Sequence, residues 1–329
     1  MSIGSELLVE SEGSGGTIDS VELVPGEVTA RSPLELFWRR FRSDRVAIVS
    51  LGFIVLLILV ALLAHPLVSL FGVTGPNQPN LSALDAFGQP TGPSGAHPFG
   101  VDELGRDILA RVLYGAQVSL EVAFISTGVA VLIGIAVGTV AGYFRGWMDS
   151  ALSRVMDIVL AFPILLLAIG LASACSLGKG CLGGLITPGR VTLIVVIALS
   201  SWPYIGRIIR GQVLSIREKE FVESARALGA SNVRIMRREI LPNLIAPIIV
   251  YTSLILPTNI LYEAALSFLG VGVQPPTASW GQMIADASSV FDTAWWYMTF
   301  PGVALVLTVL AFNLVGDGLQ DALNPKTGR

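Results

Sequence analysis

Six apolar runs, at residues 46–64, 122–143, 155–174, 191–205, 244–261 and 296–315 and uncharged but for Asp157, constrain this chain more than anything else in it. The first has 19 residues, which as helix is about 28 Å long and enough to cross a hydrocarbon core. The fourth is short unless it continues past Gly206. The runs predict an all-α integral membrane protein with six transmembrane helices. Composition agrees, because only 14% of residues are charged, against about 25% in a soluble domain.

Lysine and arginine placement orients the spans. With the N-terminus inside, that side holds Arg31, Arg39, Arg40, Arg42 and Arg45, then Arg145 and Arg154, eight basic residues from Arg207 to Arg238, and Lys326 and Arg329. Only Arg106, Arg111, Lys179 and Arg190 lie outside. Cytoplasmic loops concentrate positive charge, so both termini and residues 215–243 are expected in the cytoplasm. The net charge of −3 says nothing about partners, since the charges are sorted by side.

Residues 1–31 read as an acidic, disordered tail: Glu6, Glu10, Glu12, Asp19, Glu22 and Glu27 precede the first basic residue, Arg31. No apolar stretch follows a basic start, so no secretory signal is expected in these residues. Residues 32–45 change character, with Leu34, Phe37, Trp38 and Phe41 among arginines. That pattern predicts an interfacial amphipathic helix with aromatics at headgroup depth and arginines toward anionic lipid.

The polar stretch 215–243 between two apolar runs reads as helix, glycine break, helix. Phe221, Ala225 and Leu228 recur at helical spacing and give one apolar side. Gly229 is a stop signal, Ser231 can cap a second helix running toward Glu239, and Pro242 closes it.

This stretch resembles the coupling loop of ATP-binding-cassette importer permeases, whose signature is Glu-Ala-Ala, three residues, Gly, nine residues, Ile-x-Leu-Pro. Here Glu223-Ser224-Ala225, Gly229 and Leu241-Pro242 fall at that spacing. The departures are Ser224 for the first alanine and Glu239 in the isoleucine position. Phe37-Trp38-Arg39-Arg40-Phe41, residues 97–120, 266–272 and 279–283 resemble the dipeptide/oligopeptide branch, its C-type subunit. The likeness runs from about residue 35 to 323. It implies a type I importer permease: a six-span domain over 46–323 with a cytoplasmic helix-Gly-helix coupling loop, followed by a tail at 324–329. It implies as partners a B-type permease, two ATPase subunits that bind ATP and magnesium, and an extracytoplasmic binding protein, with short peptides as substrate. Phe221, Ala225 and Leu228 would fill an ATPase groove and Glu223 would orient the hook. Nickel, haem and other small solutes are alternatives within the same branch.

Other features have plainer readings. His97, Asp102, Glu103 and Asp107 are interleaved with Arg106 and Arg111 and complete no metal-ligand spacing; a turn and a helix leading toward the second span are expected. His65 and His97 each precede proline and mark turns. Gly134, Gly138 and Gly142 form a small-residue stripe for close helix packing. Pro163 predicts a kink in the third span, and Asp157 one turn into it reaches water or Arg154. Cys175 and Cys181 flank a glycine-containing turn on the outside and suggest a small disulfide loop, free thiols being the alternative. Glu263-Ala264-Ala265 imitates the coupling motif at the outer end of the fifth span. No phosphate-loop motif is present, so no cofactor is expected in this chain. Nucleic acid is not expected as a partner. An integral membrane enzyme is disfavoured by the missing catalytic constellation. An ion-coupled carrier is disfavoured by the hook and by spans nearly free of ionisable groups.

Overall fold

The computed structural model describes residues 33–176 and 189–323, and among them the regular secondary structure is helical. The expected tails at both ends, and Cys181, lie outside the described residues. Helix α1 (Pro33–Ser43) and helix α2 (Arg45–Leu62) meet at Asp44, whose Oδ1 accepts from the Val46 and Ala47 backbone N–H groups at 2.9 and 3.1 Å. This is an N-cap, and it decides where the first span begins. Trp38 is exposed as expected of an interfacial helix, but Phe41 is buried. Phe41 and Ala47 flank Gly318 of α13 (Trp295–Leu323), so α1 is pinned to the end of the last span.

After α3 (Ala64–Leu70) the chain runs through a loop containing one short 3-10 turn at Leu81–Ala83. It then enters α4 (Ile108–Phe144), a single helix of 37 residues. The lead-in helix and the second span are therefore one element. Asp107 caps it, its Oδ1 accepting from Ala110 N–H at 3.1 Å.

The glycine stripe of α4 lies against α7 (Arg190–Ile216). A Cβ on Gly134 would come 2.7 Å from Ile205 Cβ, and one on Gly138 would come 2.5 Å from the Gly206 carbonyl oxygen. At Gly142 the nearest atom would be the Arg210 carbonyl oxygen, at 2.8 Å. All three are closer than any real Cβ contact, so the two backbones touch only because the side chains are missing. In lipid, where burial of apolar surface drives little, such packing holds helices together. The fourth span is longer than its apolar run: α7 continues through Pro203 and Gly206 to Ile216.

The third apolar run is not one kinked helix but is divided between two helices. Helices α5 (Gly146–Ala161) and α6 (Ile164–Ser176) meet at 89°. Pro163 forces the residue before it out of the helical region, and Phe162 has ψ 138°. The angle could not be read from the sequence, because neighbouring helices decide how far a proline break opens. Two ion pairs tie α5 to α7: Arg210 to Asp149 at 2.5 and 2.8 Å, and Arg207 to Asp157 at 2.5 Å. Asp157 therefore pairs with Arg207 and not with Arg154.

Helices α8 (Glu220–Ala227), α9 (Asn232–Ile235) and α10 (Leu241–Asn243) form the hook, and α11 (Ile245–Phe268), α12 (Trp280–Ala287) and α13 complete the bundle. Trp280 is fully buried, and its indole N–H donates to the Val112 carbonyl at 3.1 Å. Among the described residues, α2, α4, α7, α11 and α13 are long and apolar enough to cross a membrane; α5 with α6 makes a sixth if the bent pair is one span.

Candidate functional site: the 215–243 hook

The hook is rooted at the ends of α4 and α7. Arg217, directly after α7, donates through Nη1 to the Tyr143 carbonyl, and its guanidinium lies 5.9 Å from the centre of the Tyr143 ring. Burial first, and the neighbouring Arg145 second, hold its pKa below the ordinary arginine value. Glu218 answers that charge, pairing with Arg145 at 2.5 Å and Arg217 at 3.4 Å. Tyr143 also donates its hydroxyl to Asn232 Oδ1 at 2.9 Å. One tyrosine thus touches both the start and the middle of the hook.

Helix α8 carries Glu220 and Glu223 in its first turn, where carboxylates favour the helix dipole. It ends in a Schellman arrangement: Ala230 N–H reaches Ala225 O and Gly229 N–H reaches Arg226 O, each at 3.0 Å. Gly229 has φ +78°, and nothing lies within 4 Å of where its Cβ would be. Conformation alone therefore selects glycine here. Ser231 caps the next segment, its Oγ accepting from Arg234 N–H at 3.4 Å.

Pro242 does not close the second helix. After α9 the backbone widens into a π-turn at Met236–Ile240, and Pro242 sits inside the following turn, α10. Leu241 N–H bonds Met236 O, five residues back. Proline has no backbone N–H, so the helical ladder is interrupted at Pro242 in any case.

The expected apolar side is divided between two faces. Val222 is fully buried and packs with Ile235, Ile240 and Leu244. Ala225 is half-buried against the same cluster. Phe221 is 40% exposed and Leu228 is 89% exposed. Glu223, Ser224 and Pro242 are exposed, and Leu241 is half-buried. The Glu223 carboxylate has no partner among the described residues. Periodicity grouped Ala225 with Phe221 and Leu228 but missed Val222, the anchor, one position along. It also missed the Arg217–Tyr143–Glu218 root, which depends on contacts between distant segments.

The other sequence candidates resolve into structure. Asp102 accepts from Leu104 and Arg106 N–H at 2.9 Å each and from Arg106 Nε at 2.7 Å; Arg111 Nε stands 3.6 Å away. His97 Nδ1 lies 2.8 Å from Asp107 Oδ2, and His65 Nδ1 lies 3.2 Å from the Tyr114 hydroxyl. Asp102 and His97 knot the loop onto the start of α4, whereas His65 lies within α3, not at the expected turn, and ties that helix to α4. Glu263 is fully buried near the end of α11 that lies away from the hook, accepting from Ser267 Oγ at 2.9 Å. Cys175 is not a free thiol. Inside the bundle, Asn259 of α11 donates to Thr127 at 2.8 Å and accepts from Ser201 at 3.0 Å, joining α4, α7 and α11. A lone asparagine in an apolar run was the visible signal for that network.

Residues 134–329 match the family described as binding-protein-dependent transport system inner membrane component, and residues 32–87 match the N-terminal transmembrane domain of oligopeptide transport permease C. The chain is 40% identical over 300 residues to the dipeptide transport system permease protein DppC of Alkalihalophilus pseudofirmus, covering 91% of this chain and 92% of that one. It is 42% identical over 301 residues to the glutathione transport system permease protein GsiD of Escherichia coli, covering 90% and 91%. In fold it is similar to a chain of the inward-facing MetNI methionine ABC transporter, with a TM-score of 0.54 and 21% identity over 65% of this chain and 96% of that one.

Proposed function

This chain belongs to the family of binding-protein-dependent transport system inner membrane components, and from that premise we propose that its hook is the lever by which partner ATPases drive import of short peptides. The observation that carries the proposal is the division of the hook into two faces. Val222 and the Tyr143–Arg217 root bind it rigidly to α4 and α7, while Phe221, Leu228 and the Glu223 carboxylate are left outward for a partner. A load placed on α8 is passed to α7 through the backbone and to α4 through Tyr143. The glycine stripe makes α4 and α7 move as one body. Alternation between outward- and inward-open states then follows from rigid-body rotation of that pair.

The partners of such a lever are two ATPase subunits on the cytoplasmic side, which hold ATP and magnesium. A B-type permease is the other half of the pathway, and an extracytoplasmic protein delivers the substrate. This chain itself performs no hydrolysis and sits multi-pass in the cell membrane with both termini in the cytoplasm. Support for peptides comes from the dipeptide and glutathione relatives. Cells lacking the gene should lose uptake of short peptides of differing sequence. Intact peptide uptake with a metal or haem phenotype would remove the peptide assignment and leave the importer assignment standing.

A further inference from the structure

Beyond its apolar outward residues, the hook carries a basic face with no counter-charge. Arg234, Arg237 and Arg238 are exposed and, with Ser231 and Val233, line a concavity of about 600 Å³. Positions three and four apart in a helical segment share a side, so three guanidinium groups converge on one opening. None has an ion-pair partner among the described residues, unlike Arg145, Arg207, Arg210 and Arg217 of the same end of the bundle. Guanidinium groups are forked donors matched to carboxylates.

The chain has a matching acidic segment at that end. Residues 1–30 hold six carboxylates and neither lysine nor arginine. They join α1, whose Phe41 lies against Gly318 of α13. Gln320 of α13 lines one cavity with Gln212 of α7 and Ala246 of α11, the residues that flank the hook. The tail's point of attachment and the hook are thus at the same end of the bundle, whatever its orientation in the membrane. Thirty residues span at most about 100 Å extended, and a relaxed chain of that length spans about 30 Å. The segment can reach the arginines.

We propose that the acidic segment 1–30 seats on the Arg234–Arg237–Arg238 face and competes there with the ATPase, restraining the importer until a productive complex displaces it. The competition, though not the contact, rests on the lever reading above. The contact is electrostatic and exposed, so it weakens with salt.

The test places a photoreactive residue at Val21 in the full-length chain, assembled in its native membrane. Irradiation should link it to the peptide containing residues 231–240. Because screening and loss of charge both weaken exposed ion pairs, that product should fall at least roughly threefold at high salt, and likewise when Arg234, Arg237 and Arg238 become glutamine. A second variant leaves the hook intact and amidates the tail: Glu6→Gln, Glu10→Gln, Glu12→Gln, Asp19→Asn, Glu22→Gln and Glu27→Gln. Loss of a few surface pairs should then raise basal ATP hydrolysis of the complex roughly two- to fivefold at low salt. Cross-links that go only to lipid, to an ATPase or elsewhere in the chain overturn the proposal. So does a product that persists in the arginine variant, or hydrolysis unchanged by amidation. The cross-link needs no working lever, so failure of the lever and failure of the contact are distinguishable.

Discussion

Glycine serves two regions of this molecule for opposite reasons. In the α4 stripe, Gly138 lies in ordinary helix, and its missing Cβ is what lets the Gly206 carbonyl approach. In the hook, Gly229 has open space all round, and its positive φ is what the Schellman turn requires. The spine is held by tertiary contact and the hook by local conformation. The two should therefore break differently: spine substitutions should cost folding, and hook substitutions should cost coupling in a folded protein.

The largest effect is expected at the spine. Gly138→Val forces side-chain atoms into the backbone of α7, and overpacking of this kind costs about 3 kcal/mol or more. Thermal denaturation in detergent should show a large fall in Tm or loss of monodisperse protein. Gly134→Ala and Gly142→Ala should follow in the same direction with smaller shifts. A Gly138→Val protein of unchanged Tm would mean that the close approach does not hold α4 to α7.

Val222→Ala should come next, since removing its buried methyl groups costs about 1.5–2 kcal/mol. It loosens the hook from Ile235 and Ile240 without touching the outward face. Proteolysis between residues 219 and 243 should quicken while the spans stay resistant. Leu228→Ala, on the exposed side, should leave proteolysis unchanged and weaken only partner docking. Equal effects of the two would erase the distinction between the faces.

The smallest effect is expected at Cys175. We propose that it pairs with Cys181. Mass spectrometry without reductant should find no free thiol, and alkylation of both cysteines would show an open loop instead. Cys175→Ser with Cys181→Ser should transport normally, because α6 packs through Ala168 and Ala172 against Val118 and Val122 of α4, away from the glycine stripe and the hook.

What the sequence made legible follows the same division. Features set by local chemistry were readable: the Gly229 turn, the Ser231 cap, some departure from a straight helix at Pro163 and the presence of each apolar run. Features set by distant contact were not. Nothing in the run 191–205 says that α7 extends to Ile216, because its polar end is stabilised by Asp149 and Asp157 from another helix. The angle at which the third apolar run is divided, the π-turn before Pro242 and the choice of Val222 over Phe221 as anchor depend in the same way on packing partners. The stripe was readable as a packing motif, but its partner, Gly206 on α7, was not.

The most direct measurement compares Gly229→Val with Gly229→Asn in the reconstituted importer. A left-handed conformation costs an ordinary residue about 1–2 kcal/mol and a β-branched one more, whereas asparagine adopts it readily. With both proteins folded to the wild-type Tm, Gly229→Val should lose ATPase docking and substrate uptake and Gly229→Asn should keep most of both. Wild-type uptake by the Gly229→Val complex would contradict the lever.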